Sequence, residues 1–250
     1  MIVAIRAITL DLWDTLYHDC PVRDGIRRRR REELIHQRLY ELGYAVERAR
    51  LNAAIRRAAD TSRKQWDEEY YTPGAQERLL FTLAHMQIAL SPNELIRLSE
   101  EVAEIGCSYP PLPFEETKKT IAELACVFPL AIISDTGQTS GDALRRVLQR
   151  DGLLDYFKVL TFSDETGASK PHARAFVLTL EKLGVSPGEA VHIGDHETKD
   201  CLGALNAGMR TIHLAPRPSP SLEPNSGYYH LEGIGQVPGL LSSLSVEAGR

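Results

Sequence analysis

Short apolar runs that stop abruptly at a polar residue recur along this chain, and they constrain its fold more than any other feature. The run Ile5, Ala7, Ile8, Thr9, Leu10 ends at Asp11; Leu130 to Ile133 ends at Ser134-Asp135; Ala190 to Ile193 ends at Gly194-Asp195. Lys158 to Phe162 and Thr211 to Leu214 are two further strand-like runs. Between them lie helical stretches over Phe114 to Cys126, Gly141 to Arg150, His172 to Leu183 and Cys201 to Asn206, the last stopped by Gly208. Strands alternating with helices of roughly 10 to 15 residues predict an α/β fold with a doubly wound parallel sheet. In an open sheet of that kind the carboxyl ends of the strands gather at one crevice. Asp11, Ser134, the loop leading to Lys170, and Asp195 with the nearby Asp200 are therefore expected on a common rim.

From Leu16 to Tyr109 the pattern is helical throughout. Gly25 to Leu42, about Val46 to Tyr71, Ala75 to Leu90, and a fourth stretch opened by Ser91-Pro92-Asn93-Glu94 make up the set. The last has a capping-box spacing with proline in the first helical position. Tyr109-Pro110-Pro111-Leu112-Pro113 then reads as a linker. The expected division is a sheet-bearing core of residues 1–17 and 110–250 with an all-helical insert at 18–109. Five consecutive cations, Arg27 to Arg31, must point all round their helix, which predicts a mostly solvated face with local acid pairing. Beyond Arg217 the chain is rich in Pro, Ser and Gly until Val237, with a short helix near Leu240 to Val246 and no assigned chemistry.

Composition removes several function classes. With 29 basic against 34 acidic residues the net charge is −5, which gives no support for nucleic-acid binding. Cys20, Cys107, Cys126 and Cys201 are widely separated and form no CxxC pair, so neither a zinc site nor a thioredoxin-like motif is expected. No apolar run approaches the ~20 residues needed to cross a bilayer, and the N-terminus, charged already at Arg6, lacks a signal-like apolar core. A cytoplasmic enzyme with reduced thiols and no membrane partner is expected.

Taken alone, Asp11 is equally well a nucleophile or a residue capping the turn that follows it. A carboxylate, a hydroxyl, a lysine and further acids at successive strand ends are not a packing pattern. In that combination the chain resembles the haloacid dehalogenase-like hydrolase superfamily, most of whose members are magnesium-dependent phosphatases. Asp11 falls at the nucleophile of the Asp-x-x-x-Thr-Leu motif, Ser134 at the hydroxyl of the second motif, Lys170 of Ser-Lys-Pro at the third, and Gly194-Asp195 with Asp200 at the acidic fourth. The helical insert corresponds to the family's cap.

The resemblance implies that Asp11 attacks, that Ser134 and Lys170 hold the phosphoryl oxygens, and that Mg2+ sits on Asp11, Asp195 and the backbone carbonyl of Trp13. The same roles suit phosphoryl transfer, which needs an in-line nucleophile and neutralised equatorial oxygens, and a hard cation that takes oxygen ligands. Asp14, Thr15 and Asp200 would support the site, Thr15 by fixing the loop after the nucleophile. A helical cap able to exclude water suggests a small phosphorylated metabolite as substrate.

One position departs from the family's phosphatases. They carry an acid two residues after the nucleophile, where this chain has Trp13, and an indole neither gives nor takes the required proton. Three routes stay open: Asp14 supplies the proton, the leaving group needs none, or the reaction is carbon–halogen cleavage, whose enzymes in this family have an aromatic residue at this place. Against the last stands Asp195, since the dehalogenases use no metal and lack that acid. A weakly active or inactive binding protein on the same fold is the remaining alternative. Of the histidines, His192 is expected as a packed core residue, His172 and His196 as solvated, and His18 with Asp19 as the pair of interest on the way into the insert.

Overall fold

The computed structural model describes residues 4–18, 20–223 and 226–248. Asp19, expected to act with His18, lies outside the described residues. In chain order the strands are β1 (Ala7–Leu10), β2 (Tyr17–His18), β3 (Leu112–Pro113), β4 (Leu130–Ser134), β5 (Phe157–Phe162), β6 (Ala190–Gly194), β7 (Arg210–Leu214) and β8 (Tyr228–Leu231). The helices are α1 (Pro21–Glu41), α2 (Arg48–Glu69), α3 (Ala75–Met86), α4 (Pro92–Ser108), α5 (Thr117–Ala125), α6 (Gly141–Arg150), α7 (Ser163–Thr166), α8 (Ala173–Leu183), α9 (Gly203–Asn206) and α10 (Val237–Ala248). The chain divides into two compact units: residues 1–19, 112–135 and 148–250, and residues 20–111 with 136–147.

The first unit carries a six-stranded parallel sheet in the order β5-β4-β1-β6-β7-β8. The α/β doubly wound architecture expected from the alternating runs is the one found. The strands β1, β4 and β6 are buried along their whole length, which is why they read as continuous apolar runs rather than alternating ones. From β1 the chain builds β4 and β5 on one side, then crosses to β6, β7 and β8 on the other. The reversal falls at β1, where Leu10 pairs with Ile132 on one flank and Ile193 on the other. That is where a crevice opens beyond the strands' carboxyl ends.

Two strand features differ from the sequence expectation. The Pro-rich linker contributes β3, which pairs antiparallel with β2 through Tyr17 with Pro113 and His18 with Leu112. Proline is tolerated because this ribbon has only two strands and an open edge. The Pro-, Ser- and Gly-rich tail contains β8, where Tyr228, Tyr229 and Leu231 supply residues that pack well on a sheet.

In the second unit α1 to α4 bury one common core that includes Ile35, Leu39, Leu51, Leu79, Leu83, Leu98 and Val102. The capping box opening α4 is formed: the Glu94 amide donates to Ser91 Oγ at 3.3 Å and the Ser91 amide to Glu94 Oε2 at 2.8 Å. The arginine run is only partly solvated. Arg28, Arg29 and Arg30 are exposed, whereas Arg27 and Arg31, one turn apart on the inner face, are 4% and 8% exposed. Residues 136–147 group with these helices for specific reasons. Arg31 Nη1 donates to Gln138 Oε1 at 2.8 Å, Arg146 pairs with Glu104 at 2.5 Å, and Gly106 leaves no room for a side chain against Thr139. Among the described residues no helix is long and apolar enough to cross a membrane.

Candidate active site

The site is built on the carboxyl ends of β1, β4 and β6. Asp11 follows β1 directly, and its backbone amide donates to the Ile193 carbonyl of β6 at 2.8 Å. The sheet register therefore places the Asp11 backbone before any side-chain contact is made. Lys170 reaches it from the loop after α7: its Nζ donates to Asp11 Oδ1 at 2.5 Å and to Asp200 Oδ1 at 2.6 Å. All three groups are buried. The backbone of the lysine loop is held too, because the Lys170 amide donates to Asp135 Oδ1 at 2.9 Å.

Asp200 is fully committed. Besides Lys170, its Oδ1 faces His192 Nε2 at 3.2 Å, and its Oδ2 accepts from the His196 amide at 2.9 Å. His192 Nδ1 lies 2.8 Å from Thr9 Oγ1. Burial pushes the His192 imidazole below its usual range, so it is neutral. An ionised carboxylate only accepts, so Nε2 must carry the proton and Nδ1 must accept from the Thr9 hydroxyl. Gly194 completes the arrangement: a β-carbon there would collide with the Asp200 carboxylate, so the residue before Asp195 has to be glycine.

Charge is unbalanced here. Ligand oxygens of Asp11, Asp195 and Asp200 lie within 4.8 Å of one another, and one ammonium, Lys170, faces them. Burial pushes the Asp11 carboxyl well above the ordinary range despite Lys170, and pushes Asp195 up to about 6, with the Asp200 and Asp14 charges adding to it. Asp200 goes the other way, because the Lys170 ammonium and the His192 hydrogen bond outweigh its burial. Burial would likewise discharge Lys170, but Asp11 and Asp200 hold it charged. The Asp195 carboxylate makes no hydrogen bond to another residue among the described ones and is half-buried. Its backbone carbonyl accepts from His213 Nε2 at 2.8 Å, His213 Nδ1 in turn faces the Tyr228 hydroxyl at 3.1 Å, and that hydroxyl accepts from the Ser219 amide at 2.9 Å.

The remaining expected residues fall into place unequally. Ser134 ends β4 beside β1 and is buried, with its hydroxyl making one long 3.4 Å contact to the Asp135 carbonyl. Trp13 is half-buried and bridges to Tyr17. Asp14 is exposed, with φ of 53° and its amide donating to the Tyr17 carbonyl at 2.6 Å. Thr15 does not fix the loop as expected: its buried Oγ1 has no hydrogen-bond partner among the described residues. The loop is pinned instead through the Leu16 carbonyl, which accepts from Thr117 Oγ1 at 2.9 Å and from the Phe114 amide at 3.1 Å. His192 is the packed, satisfied histidine expected, although the atom that satisfies it belongs to the site. Sequence reasoning missed Thr9, Asp135, His213 and Tyr228. Only Asp135 carried a signal, as an acid at a strand end.

Comparison with known proteins places this arrangement. A family model described as haloacid dehalogenase-like hydrolase matches residues 5–208. Over 220 residues the chain is 30% identical to the 5-amino-6-(5-phospho-D-ribitylamino)uracil phosphatase YigB of Escherichia coli, covering 85% of this chain and 84% of that protein. A shorter match, 37% identical over 90 residues, links it to the glyceraldehyde 3-phosphate phosphatase of Methanopyrus kandleri and covers 35% of this chain and 39% of that protein. Among solved structures the 2-haloacid dehalogenase of Pseudomonas syringae has the same fold, with a TM-score of 0.72 at 24% identity over 96% of this chain and 99% of that one. The matched span and the long phosphatase alignment together show that the chain belongs to the haloacid dehalogenase-like hydrolase family.

Proposed function

We propose that this hydrolase is a magnesium-dependent phosphatase that transfers the phosphoryl group of a small metabolite to Asp11 and then to water. The observation that carries the reading is the uncommitted Asp195 carboxylate beside Asp11, in a cluster with more carboxylates than cations. A buried surplus of negative charge is costly unless a cation neutralises it. The donor set, oxygen atoms only, suits a hard divalent ion such as magnesium. Asp11, Asp195 and the Trp13 backbone carbonyl would hold that ion, which would supply positive charge to the phosphoryl oxygens. The long alignment with a phosphatase supports the same class of substrate.

The chain's own residues account for the rest. Asp11 attacks phosphorus in line, the bond to the leaving oxygen breaks, and the phosphoryl group becomes an acyl phosphate on Asp11. Lys170 and the Ser134 hydroxyl bind phosphoryl oxygens. Asp200 aims the Lys170 ammonium, and His192 with Thr9 aims Asp200. Water then cleaves the acyl phosphate and frees Asp11. Trp13 donates no proton, so the departing oxygen either leaves unaided or draws its proton from Asp14 or solvent. The helical insert serves as the cap that admits the substrate. The division into a core of 1–17 and 110–250 and a cap of 18–109 belongs to this proposal, as does a small-molecule substrate.

The second reading, metal-independent carbon–halogen hydrolysis, is favoured by Trp13 alone. The experiment is a screen with an activated aryl phosphate. Asp11→Asn is expected to lose all turnover and Asp195→Asn all magnesium-dependent turnover. Full activity in excess chelator, or undiminished activity of Asp195→Asn, would refute the phosphatase reading.

A further inference from the structure

Within the helical unit a cavity of about 50 Å³ lies among α1, α2 and α3. At about 10–15 Å³ per water, it has room for roughly four waters, or one tetrahedral oxyanion. Half of the lining residues are apolar, as between any packed helices, but the wall also carries Arg28, Arg31 and Glu32 of α1, Ser62 of α2, and Arg78 and Thr82 of α3. Three guanidiniums against one carboxylate leave a formal surplus of 3 − 1 = +2 in its wall.

Arg78 is the informative member. Its Nε donates to the Pro73 carbonyl at 2.9 Å, which fixes the side chain, while its two terminal nitrogens have no hydrogen-bond partner among the described residues. It is half-buried, and burial pulls its pKa below the usual arginine range by more than the neighbouring Glu77 charge restores. The Ser62 and Thr82 hydroxyls spend their protons on the carbonyls of Ala58 and Arg78 at 2.9 and 3.0 Å. Arg31 spends its three nitrogens on the Val102 carbonyl, Gln138 Oε1 and Thr139 Oγ1, so the donors left to meet a ligand are those of Arg78 and Arg28, whose fork geometry matches two oxygens of one anion.

We propose that this cavity is an anion site that takes a phosphate group, with Arg78 as its principal donor and Arg28 and Arg31 supplying further charge. Inorganic phosphate and the phosphoryl group of a monoester share that chemistry. The proposal stands whether or not the phosphatase reading holds.

The test is equilibrium dialysis of the full-length protein against radiolabelled inorganic phosphate, in chelator and at constant ionic strength, for wild type, Arg78→Gln, Arg28→Gln and Lys170→Gln. Phosphate binding that weakens about tenfold in Arg78→Gln and a few-fold in Arg28→Gln, yet persists in Lys170→Gln, is the expected result. Competition by methylphosphonate at the surviving site would identify a monoester's phosphoryl group as the ligand; its failure to compete would identify the free ion. Arg28 is exposed and without a hydrogen-bond partner among the described residues, so its replacement is expected to leave the fold intact and keeps the test decisive if Arg78→Gln fails to fold. Affinity unchanged in Arg28→Gln and in folded Arg78→Gln, or phosphate lost only in Lys170→Gln, would overturn the proposal.

Discussion

Thr9→Val removes one hydroxyl from the interior of β1 at nearly constant volume, so it opens no cavity and tests the chain of hydrogen bonds behind Lys170. Thr9 and His192 are fully buried and Asp200 is 1% exposed, so water cannot replace the lost partner. The Thr9 to His192 hydrogen bond contributes about 1 kcal/mol net, and a buried imidazole nitrogen left unpaired costs about 1–3 kcal/mol. Should the ring change tautomer to avoid this, Nε2 would turn a lone pair towards the Asp200 carboxylate and forfeit a charged hydrogen bond of similar size. Either way the loss is about 2–3 kcal/mol, a roughly 30- to 150-fold fall in the ratio of folded to unfolded protein. Urea unfolding measures it, and ¹⁵N shifts of the His192 ring report which nitrogen is protonated before and after. Thr9→Ser should retain the bond. A Thr9→Val protein within about 0.5 kcal/mol of wild type, with unaltered ring shifts, would refute the assignment of Thr9 as donor and of His192 as the group that aims Asp200.

Three further outcomes are expected. Trp13→Asp should raise turnover of alkyl phosphates by about 10²-fold or more while leaving aryl phosphates little changed, since only the former need a proton on departure; kcat measured on a matched pair checks this. Magnesium affinity should rise with pH through about 6 and continue to rise above it: burial raises the pKa of both Asp195 and Asp11, Asp11 the further, so the protons they hold must leave before the oxygens can ligate, and calorimetric titration at several pH values reads the slope. Native protein treated with a thiol reagent should modify the exposed Cys126 readily and spare Cys201, which is buried with its thiol pushed up to about 12 by that burial, until denaturant is added.

How far the sequence was legible follows from the range over which each signal acts. The strands β1, β4 and β6 announce themselves because burial on both faces demands unbroken apolar residues, and the polar groups that end them stand out against that background. Asp11, Ser134 and Asp195 were nameable for that reason, whereas Lys170, in a loop well beyond β5, was named through the Ser-Lys-Pro of the family resemblance. Thr9 and His192 sit inside the same apolar runs, and nothing local distinguishes a hydroxyl and an imidazole bonded to each other across two paired strands from two separately packed residues. His213 and Tyr228 act on the Asp195 carbonyl from strands the chain reaches later. The strand β8 was hidden by the Pro- and Ser-rich segment before it, and β3 by its prolines. Arg27 and Arg31 were masked by composition: a run of five arginines gives no hint that a helical period will bury the first and the fifth.

The place of β1 within its sheet bears on how the site moves. Two strands, β4 and β5, lie on one flank and three, β6, β7 and β8, on the other, so fraying from either edge must open several ladders before it reaches Ala7–Leu10. The Asp11 carboxylate, the proposed nucleophile, is thus anchored to the part of the sheet that opens least often, while Asp14 and Tyr17 begin the loop leading away from it. Amide exchange should accordingly be slowest at β1 and its immediate neighbours and should quicken outward to β5 and β8. A side chain mounted there holds its aim through the small, frequent openings of the rest of the sheet.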